Sequence, residues 1–260
     1  MESEERGIFG EIIDSIVNFR AYPHYARQKA GRVLLYLLVL TLIFGGISAV
    51  KPVRNLEREI KEMIVTFQEK SPEFIFKNGR MLFEGKKPIT ITEGERNIIV
   101  MDPTGKADSG AITRYEKGVV ISREKVYYKK SGTETRIYNL SNLREYSFNK
   151  SDILSLLGKY RYFSAAFAVL YIIWYYIAKL FSAFLLAVLG LVIAGIVGVK
   201  TDFPGSYAMS IHALTLPIVL DTAVGFLPFT VPWFLLIYYL AAVVYLWMGL
   251  SAFKEAGLSA

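Results

Sequence analysis

The chain has 260 residues, 53% hydrophobic and only 20% charged, with a net charge of +7 and no cysteine. The charge is segregated: residues 51–160 hold 21 Lys/Arg and 15 Asp/Glu, whereas residues 161–260 hold four and three. A soluble domain does not keep a hundred residues with seven charges, and a chain without cysteine has no disulfide, thiolate metal site or Cys nucleophile.

The expected class is therefore an α-helical integral membrane protein with four transmembrane helices and an inserted small α+β domain. The start, Met1-Glu-Ser-Glu-Glu5, lacks the positive charge of a secretory signal. Ile8, Phe9, Ile12, Ile13, Ile16, Val17 and Phe19 recur at helical spacing opposite Glu11, Asp14 and Asn18. This predicts an amphipathic helix ending before Pro23, either lying along the cytoplasmic membrane surface or packed under the membrane bundle. Tyr22, His24, Tyr25, Arg27, Lys29 and Arg32 then form an aromatic-basic collar, so residues 1–32 make one cytoplasmic interface segment. Residues 33–50, bounded by Arg32 and Lys51, are apolar throughout and form the first span.

Residues 51–160 form the inserted domain. Leu56, Ile60, Met63, Ile64 and Phe67 predict a short amphipathic helix before Pro72. The period then changes to two. Residues 73–77 and 80–84 alternate about Asn78-Gly79, the signature of a hairpin with a type I′ turn. Further strands are expected at 89–92, 97–101, 119–122, 126–129 and 135–138, with a turn at Ser131-Gly132. Asp102-Pro-Thr-Gly105 fits a type I turn, and Ser151-Asp152 is expected to cap a closing helix.

Residues 161–260 form the membrane bundle. Between Tyr162 and Val199 only Lys179 is charged. A reversal at Lys179 would need turn residues, and Ile177–Phe181 has none, so one long helix is expected over 162–198. The third helix is expected at 207–227, kinked at Pro217, and the fourth at 233–253. Arg20, Arg27, Lys29, Arg32, Lys200 and Lys254 share one face in this arrangement, which places both termini in the cytoplasm and residues 51–160 outside.

Lys179 and Asp221 fall at nearly equal depth, so a paired arrangement is expected, read either as an intramembrane coupling site or as a structural pair. His212, one turn from Thr215, marks a candidate polar cleft; its bland reading is a buried, hydrogen-bonded packing histidine. Ser206 and Ser210 lie near it but lack the Gly-bracketed context of a serine nucleophile. Gly190, Ala194 and Gly198 continue a small-residue stripe from Ala183 and Ala187, where a helix of the same chain or of another copy can approach. The +6 surplus of residues 51–160, with no Gly-rich phosphate cradle or aromatic-basic RNA motif, argues against nucleic acid and reads either as a face toward anionic lipid headgroups or envelope polymers or as a solvated surface with a mild lysine excess. The candidate binding surface is Arg123, Lys125, Tyr127, Lys129, Lys130 and Tyr138.

Several segments resemble a bacterial membrane family, the domain of unknown function numbered 1189. They are Phe19–Tyr22 through Ala26-Arg27, Gly31–Tyr36, Ile99–Gly105, Gly118–Tyr127, Leu189–Leu191, Ser206-Tyr207 and Ala213–Pro217. Some members of that family are labelled maltodextrin-utilisation proteins from their gene neighbours. The last hundred residues also look distantly like Yip-type membrane proteins. The resemblance implies one span, an extracytoplasmic domain and then a membrane bundle, with no catalytic residues to carry over.

The expectation is a non-enzymatic bacterial plasma-membrane protein without cofactor. Its outward domain binds a protein partner or envelope ligand, and its bundle anchors, scaffolds or relays, alone or as a homo-oligomer. The alternative is a small transporter or lipid-handling protein using a cleft at Lys179, Asp221 and His212.

Overall fold

A computed structural model describes residues 7–93, 97–132 and 134–255. The acidic start at residues 1–5 and the side chain of Lys254 lie outside the described residues. The chain divides into two compact units, residues 1–55 with 164–260, and residues 56–163.

In chain order the helices are α1 (Ile8–Val17), α2 (Tyr22–Tyr25), α3 (Ala30–Lys70), α4 (Lys150–Gly158), α5 (Tyr160–Val197), α6 (Phe203–Ala213), α7 (Thr215–Gly225) and α8 (Phe234–Glu255). The strands between α3 and α4 are β1 (Phe74–Lys77), β2 (Arg80–Phe83), β3 (Ile89–Glu93), β4 (Asn97–Met101), β5 (Lys117–Ile121), β6 (Lys125–Lys129), β7 (Thr135–Asn139) and β8 (Phe148–Asn149).

Four helical stretches are long and apolar enough to cross a bilayer: Ala30–Lys70, Tyr160–Val197, Phe203–Gly225 and Phe234–Phe253. The first differs from expectation, because the helix predicted to end at Val50 continues to Lys70 with Pro52 inside it. Pro52 alone interrupts the helical pattern there, and a single proline bends a helix more readily than it ends one. α5 passes Lys179 without a break. The third stretch is divided in two at Leu214. Pro217 has no N–H to give the carbonyl four residues back, at Ala213, so the ladder lapses at the predicted kink.

Tyr22, Tyr25, Tyr36, Leu37, Leu40, Ala183, Met209, Ile218 and Leu246 pack in the helical unit's core. Gly190 sits against Ser206 of α6 and Leu246 of α8, so at this position the small-residue stripe serves packing within the chain. Gly198 instead closes α5 in the left-handed region, φ 80°.

The second unit holds two sheets. One has the order β2-β1-β8; the other has the order β3-β4-β5-β6-β7 and is antiparallel except for the parallel pair β4–β5. Asn78 (φ 54°) and Gly79 (φ 75°) make the predicted type I′ turn, registering Lys77 on Arg80. Gly118 lies so close to Ile112 and Ile98 that a Cβ there would meet both at 2.9 Å or less. The cap of α4 is Asn149, not Ser151: its side chain accepts from the Asp152 amide at 3.0 Å while Asp152 accepts from the Asn149 amide at 2.9 Å. This reciprocal pair needs an acceptor three residues before Asp152, which only Asn149 supplies.

Candidate functional site

Two polar clusters lie inside the helical unit. The first surrounds Lys179, whose ammonium reaches Asp221 Oδ2 at 3.4 Å and the Tyr238 hydroxyl at 3.1 Å. It also lies 4.6 Å from the Tyr175 ring centroid and 4.4 Å from that of Tyr238. The Tyr175 hydroxyl donates to the same Asp221 oxygen at 3.3 Å. Lys179 thus sits in an aromatic cage closed by a carboxylate, a geometry that favours ammonium through ring quadrupoles as well as charge. Tyr175 was legible in principle, one helical turn before Lys179 on the same face. Tyr238, on α8, carries no such local signal.

The second cluster centres on His212, which is fully buried. Its ring stacks on Tyr25 with centroids 3.7 Å apart. Its Nδ1 meets Ser15 Oγ at 2.8 Å, and Ser15 Oγ donates to the Glu11 carbonyl at 2.6 Å. The Tyr36 hydroxyl donates to Ser15 Oγ at 3.1 Å and shares a 2.7 Å hydrogen bond with Thr215. His212 and Thr215 are therefore linked through Ser15 and Tyr36. A hydroxyl has one proton, and that of Ser15 is taken by a carbonyl that can only accept. His212 Nδ1 is then the donor, so this imidazole does not act as a base toward Ser15. Ser206 and Ser210 donate to the carbonyls of Ala187 and Ser206, each at 2.8 Å.

α1 supplies this cluster with its polar side. Glu11 and Ser15 are buried, whereas Phe9, Ile13 and Val17 are exposed. Glu11 Oε1 receives Arg32 at 2.8 Å and Gln28 at 3.1 Å. The Tyr22 hydroxyl donates to the Ser15 carbonyl at 2.9 Å, and burial holds that phenol well above its usual pKa, so it stays a donor. Lys179 and Asp221 share no hydrogen-bond partner with His212 among the described residues, so the single cleft expected from these three residues is two separate clusters.

The expected strand surface also divides. Lys129 is buried, its ammonium donating to the carbonyls of Thr113 at 2.6 Å and Ile112 at 3.4 Å. It clamps the segment joining β4 to β5 and offers no charge to a ligand. Tyr127 packs against the core of Ile98, Val100, Ile112 and Val120. Tyr138 pairs with Val126 and so points to the opposite sheet face from Tyr127. Arg123, which donates to the Pro103 carbonyl at 2.6 Å, and Lys130 lie just beyond opposite ends of β6. The six residues do not make one surface. The exposed row that β6 and β7 do form is Tyr128 beside Arg136, with Tyr138 on the same face. Asp102 is no ligand group either, because it accepts from Thr104 Oγ1 at 2.7 Å and the amides of Thr104 and Ala107 at 2.8 and 2.6 Å. Among the described residues no His, Cys, Asp and Glu cluster of three could hold a metal.

These features define a class: a helical protein with four bilayer-length stretches, polar groups paired inside them, and an inserted α+β unit. The chain belongs to the family described as protein of unknown function (DUF1189), whose model matches residues 9–250, from α1 through α8. No curated protein and no solved structure matches it.

Proposed function

We propose that the protein is a multi-pass protein of the bacterial plasma membrane, in which the helical unit is an anchor and scaffold and residues 56–163 face outward to bind a protein partner or anionic envelope ligand. The observation that carries the reading is an inverted polarity. Large apolar side chains such as Leu42, Ile173, Phe181, Val192, Leu235 and Leu240 are exposed on α3, α5 and α8, while His212, Ser210, Thr215 and Ser15 are buried and bonded to one another or to backbone. Lipid is the solvent that such a surface suits. With its polar interior closed by tyrosines, the bundle favours anchoring over passage. Outside it, Lys125 is exposed at the start of β6 and Arg123 and Lys130 just beyond its opposite ends, while the exposed Tyr128, Arg136 and Tyr138 row lies on the sheet face away from Lys125.

The test uses the natural absence of cysteine. Ser131→Cys should react with a membrane-impermeant thiol reagent in intact cells, and Ser259→Cys, outside the described residues, only after permeabilisation. Purified full chain should then bind isolated cell envelope in a salt-sensitive way that Lys125→Gln with Lys130→Gln weakens. Labelling of the reverse pattern, or binding indifferent to both lysines, overturns the proposal. A second reading, a small transporter or lipid-handling protein, is favoured by one observation: the Asp221 side chain is 36% exposed although its lysine partner is 11% exposed. Uptake or efflux of a cation that stops in Asp221→Asn would select it.

A further inference from the structure

α1 docks by the face that carries Glu11 and Ser15, with Ile8 and Ile12 half-buried against the core beside them, and leaves the stripe of Phe9, Ile13 and Val17 uncovered. Phe9, Ile13 and Val17 are 62–70% exposed at i, i+4 and i+8, while Glu11 and Ser15 are buried. Three such side chains left in water would each forgo roughly 1.5–3 kcal/mol of burial. The helix also lies at the level of apolar α8. The Tyr245 hydroxyl donates to the Ile16 carbonyl at 3.1 Å, and Tyr245 is about 12 Å along the helix before Phe253, the end of the apolar stretch.

Where α1 ends against the last turns of α8, a cleft of about 640 Å³ opens. Its lining is split. Val17, Trp247 and Met248 are apolar and Asn18, Arg20 and Ser251 are polar. Arg20 is exposed and pairs with no carboxylate among the described residues. Two further cations, Arg27 and Lys29, follow within nine residues and are exposed. A single molecule with an anionic head and an apolar tail satisfies both halves of this lining, and Trp beside a cation is the pairing found at headgroup level.

We propose that this cleft is a binding site for an anionic phospholipid, its phosphate on Arg20 with Asn18 and Ser251 beside it, and an acyl chain along Val17 and Met248. The proposal rests on the membrane reading above. It gives α1 a role distinct from the spans: the face of Glu11 and Ser15 completes the bundle, and the uncovered stripe with Arg20 holds a lipid.

The experiment is native mass spectrometry of purified full chain in mild detergent, supplied with phosphatidylglycerol or phosphatidylcholine of the same acyl composition. The wild type should retain phosphatidylglycerol in preference to phosphatidylcholine. Arg20→Gln should lower phosphatidylglycerol retention about fivefold, the equivalent of one interfacial cation, and leave phosphatidylcholine unchanged; Arg20→Lys should restore most of it. Equal retention of the two lipids, an Arg20→Gln protein that keeps phosphatidylglycerol as the wild type does, or displacement of the lipid by millimolar inorganic phosphate would each overturn the site. Carbonate extraction of the same membranes separates the two levels. Release of the chain refutes the membrane reading, whereas a resistant chain with unchanged lipid retention refutes only the cleft.

Discussion

Neutralising Lys179 and Asp221 singly and together tests the logic of the first cluster. At 3.4 Å, opposite unit charges attract by roughly 5 kcal/mol at an effective dielectric near 20. That overstates the net effect, because Asp221 is one-third exposed and lysine loses hydration on burial. The two single changes should also differ. Asp221→Asn leaves Lys179 with the Tyr238 hydroxyl and two aromatic faces, each worth about 0.5–2 kcal/mol. Lys179→Gln leaves the carboxylate with the Tyr175 hydroxyl alone among its described partners. Lys179→Gln should therefore be the more damaging change, and the double variant should be milder than the sum of the two, with a coupling of about 1–3 kcal/mol. Thermal unfolding of the purified full chain in detergent, followed by tryptophan fluorescence, reads all four corners of the cycle. Additive effects within about 0.5 kcal/mol, or silent single variants, would refute the claim that the cage is organised around a charge pair.

Gly249→Ala should destabilise the helical unit by about 1–3 kcal/mol in the same assay, because a Cβ there collides with the fully buried Tyr22 ring. Ser15→Ala should cost about 1–3 kcal/mol by leaving His212 Nδ1 and the Tyr36 hydroxyl short of a partner in a dry site. Lys129→Met should deprive the Ile112 and Thr113 carbonyls of their ammonium donor and speed hydrogen exchange in residues 102–116, leaving β1 and β2 unaffected. Burial of Asp102 acts to raise its pKa, but hydrogen bonds from the Thr104 hydroxyl and the Ala107 and Thr104 amides outweigh it, and the carboxyl ends below its usual value. A depressed acid contributes stability that is complete above about pH 4 and is lost as pH falls through the lowered value. Protection factors of residues 102–107, taken relative to the intrinsic exchange rate at each pH, should therefore be level around neutral pH, with an acid-side loss of protection that Asp102→Asn abolishes.

Elements set by local rules were legible in the sequence. Asn78-Gly79 demands positive φ twice and so dictates the hairpin. Residues 162–198 contain nothing that turns a chain, and α5 runs through them. Period-two alternation placed β4 on its residues, and β3, β5, β6 and β7 within two residues of their ends. β8 was invisible because its two residues are strand only by pairing with Ile75 and Phe76. Lys129 was misread for a related reason. On a strand pattern a lysine reads as solvent-facing, and only the parallel crossover above β4 and β5 brings the carbonyls of Ile112 and Thr113 over it. The Ser15–His212 contact joins residues 197 apart in sequence, and no periodicity reports that.

α1 shows where pattern reading stops in a chain whose helices are long and apolar enough to cross a bilayer. Its spacing established which residues share a face but not which face turns inward, because that sign depends on the solvent. In water the apolar stripe is driven inward; against lipid, the stripe with unmet hydrogen bonds is the one that must be covered. Glu11 and Ser15 are covered by Arg32, Gln28, His212 and Tyr36. These contacts reach α3 and α6, and Tyr245 adds α8 through the Ile16 carbonyl. The bundle is therefore built around α1 rather than closed before it. Without α1, His212 and Tyr36 would face an opening lined by unpaired donors and acceptors, so α1 belongs to the helical unit as fully as any of the four long stretches do.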